Sequence, residues 1–282
     1  MFSNFLSRMV LTGIAAAATV MSVAAAAELR VCADPNNLPF SNDQREGFEN
    51  RIAEIIASDL NLTVSYSWLA QRGSFLRKSL TAGKCDVVLT VPSAYDGSVS
   101  LTKPYYASTY VFVYAKSREF ELRSFDDPVL RKLKIGIHAF GEEGSSPAAI
   151  ALGNRGIVGR IVGFSPLNSG ESPSSRIIDA VALGEIDVAI VWGPLAGYFA
   201  KSEPVKLEVV PVSPTSGSLP FVFQISIAVR RGDSELKRKL EEVLDRKHSD
   251  IMMVLKDYGV PLVDDEHSST KNITGKDKKD AD

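Results

Sequence analysis

Histidine is scarce in this chain: three in 282 residues, with only two cysteines and two tryptophans beside them. His138, His248 and His267 are too scattered for an imidazole cluster, and a single pair of cysteines builds no zinc site, so no metal and no cofactor is expected. Also missing are a GxSxG elbow, an HExxH helix and a glycine-rich loop followed by lysine. His138 near Ser145 could be drawn as base and nucleophile, but a strand-end histidine in a structural role is the commoner case, and the chain is expected not to be an enzyme. Charge of one sign is lacking too: 32 cationic side chains oppose 34 acidic ones, interspersed, for a net −2. Such a balance gathers neither nucleic acid nor an anionic membrane.

Long apolar runs are confined to the start. Residues 1–27 carry Arg8, an uncharged run from Met9 to Val23 and a small-residue finish at Ala25-Ala26-Ala27. That pattern is an export signal, with cleavage expected before Glu28 and no membrane insertion afterwards. The hydrophobic share of 45% and charged share of 23% are those of a globular chain with a full core. In an exported chain Cys32 and Cys85 suggest a disulfide; their place in expected strands leaves two buried thiols open as the alternative.

Periodicity then gives the order of elements. After strand Leu29–Val31, Phe48, Ile52, Ile55 and Ile56 recur at helical spacing; Leu62 to Trp68 alternates as a strand; a helix is expected over 74–82, and a buried strand over 86–91. The same wording returns later, where LTAGKCDVVLT (Leu80 to Thr90) is matched by VALGEIDVAIV (Val181 to Val191). In both, a helix stops at glycine (Gly83, Gly184) and an aspartate (Asp86, Asp187) opens an apolar strand. The second copy also has a strand at 134–138, a helix from Pro147, a strand at 161–164 and a helix at 175–183. Two extended segments, Thr109 to Ala115 and Phe221 to Arg230, cross between the copies, and one helix capped by Asp233 runs through Leu240, Val243, Ile251 and Leu255. The expectation is an α/β chain of two lobes, each a mostly parallel sheet flanked by helices, joined by two hinge strands. It divides into a signal peptide (1–27), lobe one (28–112 and 223–263), lobe two (113–222) and a disordered tail (264–282).

Ligands of open parallel sheets meet the loops beyond the strands' carboxyl ends. In lobe one those loops hold Asn36, Asn37, Phe40, Trp68, Gln71, Arg72, Ser93 and Tyr95. In lobe two they hold Phe140, Gly141, Gly144, Ser145, Ser146 and Trp192. The set is aromatic and amide-rich, which suits an apolar ligand or a protein segment better than a small anion. GEEGSSP (Gly141 to Pro147) could offer backbone N–H groups to an anion, but Glu142 and Glu143 oppose that, and Ser146 capping a helix whose first residue is Pro147 is the simpler reading.

Over essentially the whole chain past the signal, these segments resemble the type II periplasmic solute-binding fold. Within it, LRVCADPNNLPFSN, CDVVLTVPSAYD, LTKPYYASTYVFVY and DVAIVWGPLAGYFA resemble the binding-protein-like component that accompanies PQQ-dependent methanol dehydrogenases, the lanthanide-linked variant in particular. The resemblance implies a periplasmic accessory with the dehydrogenase as partner and its cytochrome c as a further one. A transport receptor for a small solute is the alternative. Amino-acid binders of this fold hold the ligand carboxylate with an arginine and the ammonium with an aspartate; by the resemblance those positions fall on Tyr95 and Trp192 here. Losing both removes two charge-assisted contacts of roughly 1.5–3 kcal/mol each.

Overall fold

A computed structural model describes residues 27–139, 145–165 and 175–263. The export signal, the tail and the calls on Phe140, Gly141 and Gly144 lie outside the described residues, Ala27 excepted.

The chain runs β1 (Glu28–Ala33), the short arms β2 (Asn36–Asn37) and β3 (Ser41–Asn42), α1 (Phe48–Asp59), β4 (Thr63–Trp68), α2 (Phe75–Lys78), β5 (Val87–Pro92), β6 (Val99–Leu101) and β7 (Tyr106–Ala115). Next come a 3-10 turn at Pro128–Arg131, β8 (Ile135–His138), α3 (Pro147–Gly153), β9 (Ile161–Phe164), α4 (Arg176–Ala182), β10 (Val188–Trp192), α5 (Gly193–Phe199) and β11 (Leu207–Pro211). The arms β12 (Thr215–Ser216) and β13 (Leu219–Pro220), β14 (Val222–Arg230), α6 (Ser234–Arg246) and α7 (His248–Asp257) complete it.

The main sheet is ordered β4-β1-β5-β14-β7-β10-β8-β9, with β6 on β14 and β11 on β7. Its two ends mirror each other. β4, β1 and β5 are parallel and meet antiparallel β14; β9, β8 and β10 are parallel and meet antiparallel β7. The crossing strands pair with each other only from Tyr106–Thr109 to Val222–Ile225, then part to serve opposite halves. Thus the sequence repeat is a structural one, and both glycines that end its helices are left-handed, Gly83 at φ +74° and Gly184 at φ +70°.

Each half buries apolar side chains on both sheet faces. In the first half, Phe48, Ile52 and Ile56 of α1 pack with Leu240, Val243, Ile251 and Leu255 from the end of the chain. On the opposite face, Phe75 and Leu80 close over Cys32, Cys85 and Val88. The sulfur atoms are bonded, with Cα atoms 5.5 Å apart. Of the two alternatives the bridge is the outcome: Cys85 sits just before β5 rather than within it, where the Asp86 N–H donates to the Arg30 carbonyl at 2.8 Å and holds the segment beside β1.

Two helices depart from expectation. The helix expected over 74–82 is a single turn, α2, since the Ser79 hydroxyl donates back to the Phe75 carbonyl at 2.6 Å and Ser79 itself leaves helical geometry. The final helix is broken at Lys247 (φ −103°, ψ 12°), and the bend turns Ile251 and Leu255 onto the α1 core.

A clasp joins α5 to the segment after α7. Gly197 meets Gly259 so closely that a Cβ on Gly197 would lie 1.8 Å from the Gly259 carbonyl oxygen. Tyr198 stacks on Tyr258 (5.6 Å, 13°), and Lys201 Nζ donates to the Asp257 carbonyl at 2.8 Å. Among the described residues no helix is long and apolar enough to cross a membrane.

Candidate functional site

The carboxyl ends of β5 and β10 and the paired stretch of β7 and β14 surround a cavity of about 530 Å³. Its walls are Phe40, Tyr110, Trp192, Leu195, Phe223 and Ile225, with Pro92 and Pro147. Polar groups enter from Asn37, Gln71, Thr90 and His138, and among the described residues no Asp, Glu, Lys or Arg lines it.

The strands dictate this arrangement. Side chains two apart on a strand share a face, so Phe223 and Ile225 of β14 look the same way, with Tyr110 of β7 alongside. Tyr110, Trp192 and Phe223 form a triangle of rings, with centroids 5.6, 6.2 and 5.8 Å apart and tilted or edge-on contacts. Trp192 is the last residue of β10 and precedes α5, so the clasp behind α5 also supports this wall. Burial pushes the Tyr110 phenol up to about 12 and the His138 imidazole down to about 4, so both are neutral near pH 7.

On the opposite rim, the β1–α1 loop is braced by its own polar groups. Asp34 accepts from the amides of Asn36 (2.9 Å) and Gln71 (2.6 Å), and Asn37 Nδ2 reaches Gln71 Oε1 at 3.3 Å. Phe40 stands against Phe48 at 5.2 Å. Below it Glu49 is fully buried at the start of α1. Burial raises its carboxyl to about 7, the neighbouring Asp34 charge adds to this and the Thr90 hydroxyl opposes it.

Asn37, Phe40, Gln71 and Trp192 from the sequence set meet in the cavity. Trp68 is stacked on Tyr66 (4.5 Å) and packs against the core instead. Ser93 shares a hydrogen bond with Ser226 (2.7 Å), tying β5 to β14. Ser145 is exposed and bridges to Ala139 through backbone, while Ser146 caps α3 by accepting from Ala149 N (3.3 Å). Asn36 is exposed. Arg72 and Tyr95 line an adjoining basin. Reading the loops missed Tyr110, Phe223 and Ile225, which lie within the crossing strands; the alternation of rings at Tyr110, Phe112 and Tyr114 was the available signal.

A paired sheet sharing two crossing strands around a cleft defines a binding protein of the periplasmic type. The chain belongs to the bacterial extracellular solute-binding proteins, family 3, whose pattern it matches over residues 29–254. It is 30% identical over 250 residues to Protein MoxJ of Methylorubrum extorquens (84% of this chain, 82% of that protein). To Protein MoxJ of Paracoccus denitrificans it is 30% identical over 269 residues (89% and 96%). The crystal structure of the periplasmic binding protein XoxJ from Methylobacterium extorquens AM1 superposes with a TM-score of 0.71 at 37% identity, covering 84% of this chain and 99% of that one.

Proposed function

We propose that this chain is a non-enzymatic periplasmic accessory of a PQQ-dependent methanol or alcohol dehydrogenase, and that its cleft engages the dehydrogenase or a cofactor during activation or maturation. The observation that carries the reading is the ring-lined cavity with Trp192 in its wall, whose described lining carries no charged side chain. A zwitterionic amino acid would leave both its charges unpaired there, whereas an apolar side chain of a partner would be well covered. Kinship with MoxJ and XoxJ supports the same assignment. In this reading residues 1–27 direct export, 28–112 with 223–263 form one lobe, 113–222 form the other, and the dehydrogenase's cytochrome c is a further partner.

Calorimetric titration of the chain with the dehydrogenase purified from the same periplasm tests the proposal, alongside dehydrogenase activity in a strain lacking the gene. Full activity without the gene, together with no measurable binding, would sink it. Family membership favours one other reading, a receptor that hands a small solute to an importer. Thermal-shift screening separates the two, because a ligand at one hundred times its Kd adds about 2.7 kcal/mol of stability.

A further inference from the structure

The aromatic cleft does not end at β5. A second basin of about 590 Å³ shares Gln71, Thr90 and Pro92 with it and runs on over α2. Its character is different. Arg72 and Arg77 line it, both exposed, and among the described residues no Asp or Glu does. A third guanidinium, Arg231, stands at its far end and donates to the Gly97 carbonyl at 3.2 Å. Asp96 is the acidic residue nearest in sequence and is not part of the lining. In a chain of net charge −2, this basin is a local cationic feature rather than a reflection of overall basicity.

The basin also displays an aromatic platform. Tyr95 is 43% exposed, yet its ring lies directly on the Gly97 backbone: a Cβ at Gly97 would come within 2.2 Å of the ring. Glycine is therefore what lets an exposed ring lie flat. A side chain so placed loses little freedom on binding, and Tyr, Trp and Arg are the residues that dominate protein–protein contacts.

We propose that cleft and basin form one docking groove for an acidic polypeptide segment, which seats a large apolar side chain among Tyr110, Trp192 and Phe223 and lays carboxylates on Arg72 and Arg77. This rests on the reading of the cleft as a partner site and names the chemistry of what enters it. Charge complementarity selects the occupant: planar guanidinium groups hold carboxylates in bidentate pairs, and the ring-lined cavity beside them accepts an apolar anchor. An extended chain advances about 3.3 Å per residue, so one short segment reaches both basins. A single amino acid would occupy only one.

The experiment uses the full chain and two fluorescent hexapeptides, LFGDED and its uncharged counterpart LFGNQN, with fluorescence anisotropy at low and physiological salt. The acidic peptide is expected to bind at least about tenfold more tightly, and to weaken with salt as exposed charge pairs do. Arg72→Glu/Arg77→Glu is expected to erase that preference without unfolding, checked by circular dichroism, and Trp192→Ala to weaken both peptides. Equal affinity for the two peptides, no binding of either, or an unchanged double-arginine variant would overturn the proposal. So would phenylacetate binding as tightly as the acidic peptide, which marks a small-molecule site. If the dehydrogenase still binds the wild type and loses affinity on Trp192→Ala while the peptides do not bind, the partner reading stands and this one alone fails.

Discussion

Asp86 and Asp187 do the same work in the two halves of the sheet: each accepts a backbone N–H from the neighbouring parallel strand or its approach, Arg30 within β1 at 3.2 Å and Lys134 just before β8 at 2.8 Å. Each also donates its own N–H back to that residue's carbonyl, at 2.8 and 2.9 Å. A guanidinium completes both sites, Arg30 at 2.6 Å from Asp86 and Arg118 at 2.6 Å from Asp187. Among the described residues Asp86 alone of the two has a second one, Arg230 of β14 at 3.1 Å, which ties the returning crossing strand to β5.

Asp86 accordingly links stability to acid pH. Burial alone would raise its carboxyl, but the hydrogen bonds from Arg30 and Arg230 outweigh burial and hold it below the usual carboxylate range. The folded pKa lies below the unfolded one, so the contribution is present above about pH 4 and lost as pH falls through the folded value. Asp86→Asn should cost about 1–3 kcal/mol at pH 7 and remove that part of the acid transition, read from urea midpoints at several pH values.

Glu49 works in the opposite sense. Its folded carboxyl, raised by burial to about 7, binds a proton that the unfolded chain has released above its ordinary 4.5. Stability therefore declines as pH rises from about 4.5 to 7, by up to about 3 kcal/mol, and is flat beyond. Glu49→Gln should flatten this slope and stabilise the protein at pH 8. Thermal midpoints between pH 5 and 8 decide it, and an unchanged slope would contradict the assignment.

The Cys32–Cys85 bridge closes a loop with a sequence separation of 53. Replacing both cysteines with alanine should cost about 2–5 kcal/mol, mostly by freeing the unfolded chain. Guanidinium unfolding of the double variant against the oxidised protein measures it.

Trp192→Ala should reduce affinity for the dehydrogenase by at least about thirtyfold, the scale of a central aromatic contact, with a lowered thermal midpoint from the lost ring contacts but a folded protein. Surface plasmon resonance reads the first and calorimetry the second. A midpoint drop with no loss of affinity would make the side chain merely structural.

Gly197→Ala should lower stability by about 1–3 kcal/mol, because the new methyl would meet the Gly259 carbonyl. Differential scanning calorimetry tests it; a neutral result would show that the clasp yields easily.

Much of this architecture can be read from the sequence because a few local demands repeat. A left-handed glycine followed by an aspartate marks the same helix-to-strand turn in Leu80 to Thr90 and Val181 to Val191, and burial of both sheet faces makes the strands apolar runs. Less visible are effects of a single atom or of distant packing. The Ser79 hydroxyl cuts α2 short, and Lys247 bends the last helix only because α1 offers a core to turn toward. At the site, the loops point to Asn37, Phe40, Gln71 and Trp192, but Tyr110 and Phe223 sit mid-strand, where a ring normally signals core. They become cavity walls because β7 and β14 pair for four residues and then part.

The return of β14, α6 and α7 to the amino-terminal half sets an order of completion. During synthesis, Phe48, Ile52 and Ile56 have only part of their cover until residues 222–257 follow, since their packing partners Leu240, Val243, Ile251 and Leu255 are encoded last. β7 through β11, by contrast, are contiguous and hold nearly all of their own sheet. The portion translated later can thus mature earlier, leaving the front of the protein unfinished until its final helices arrive.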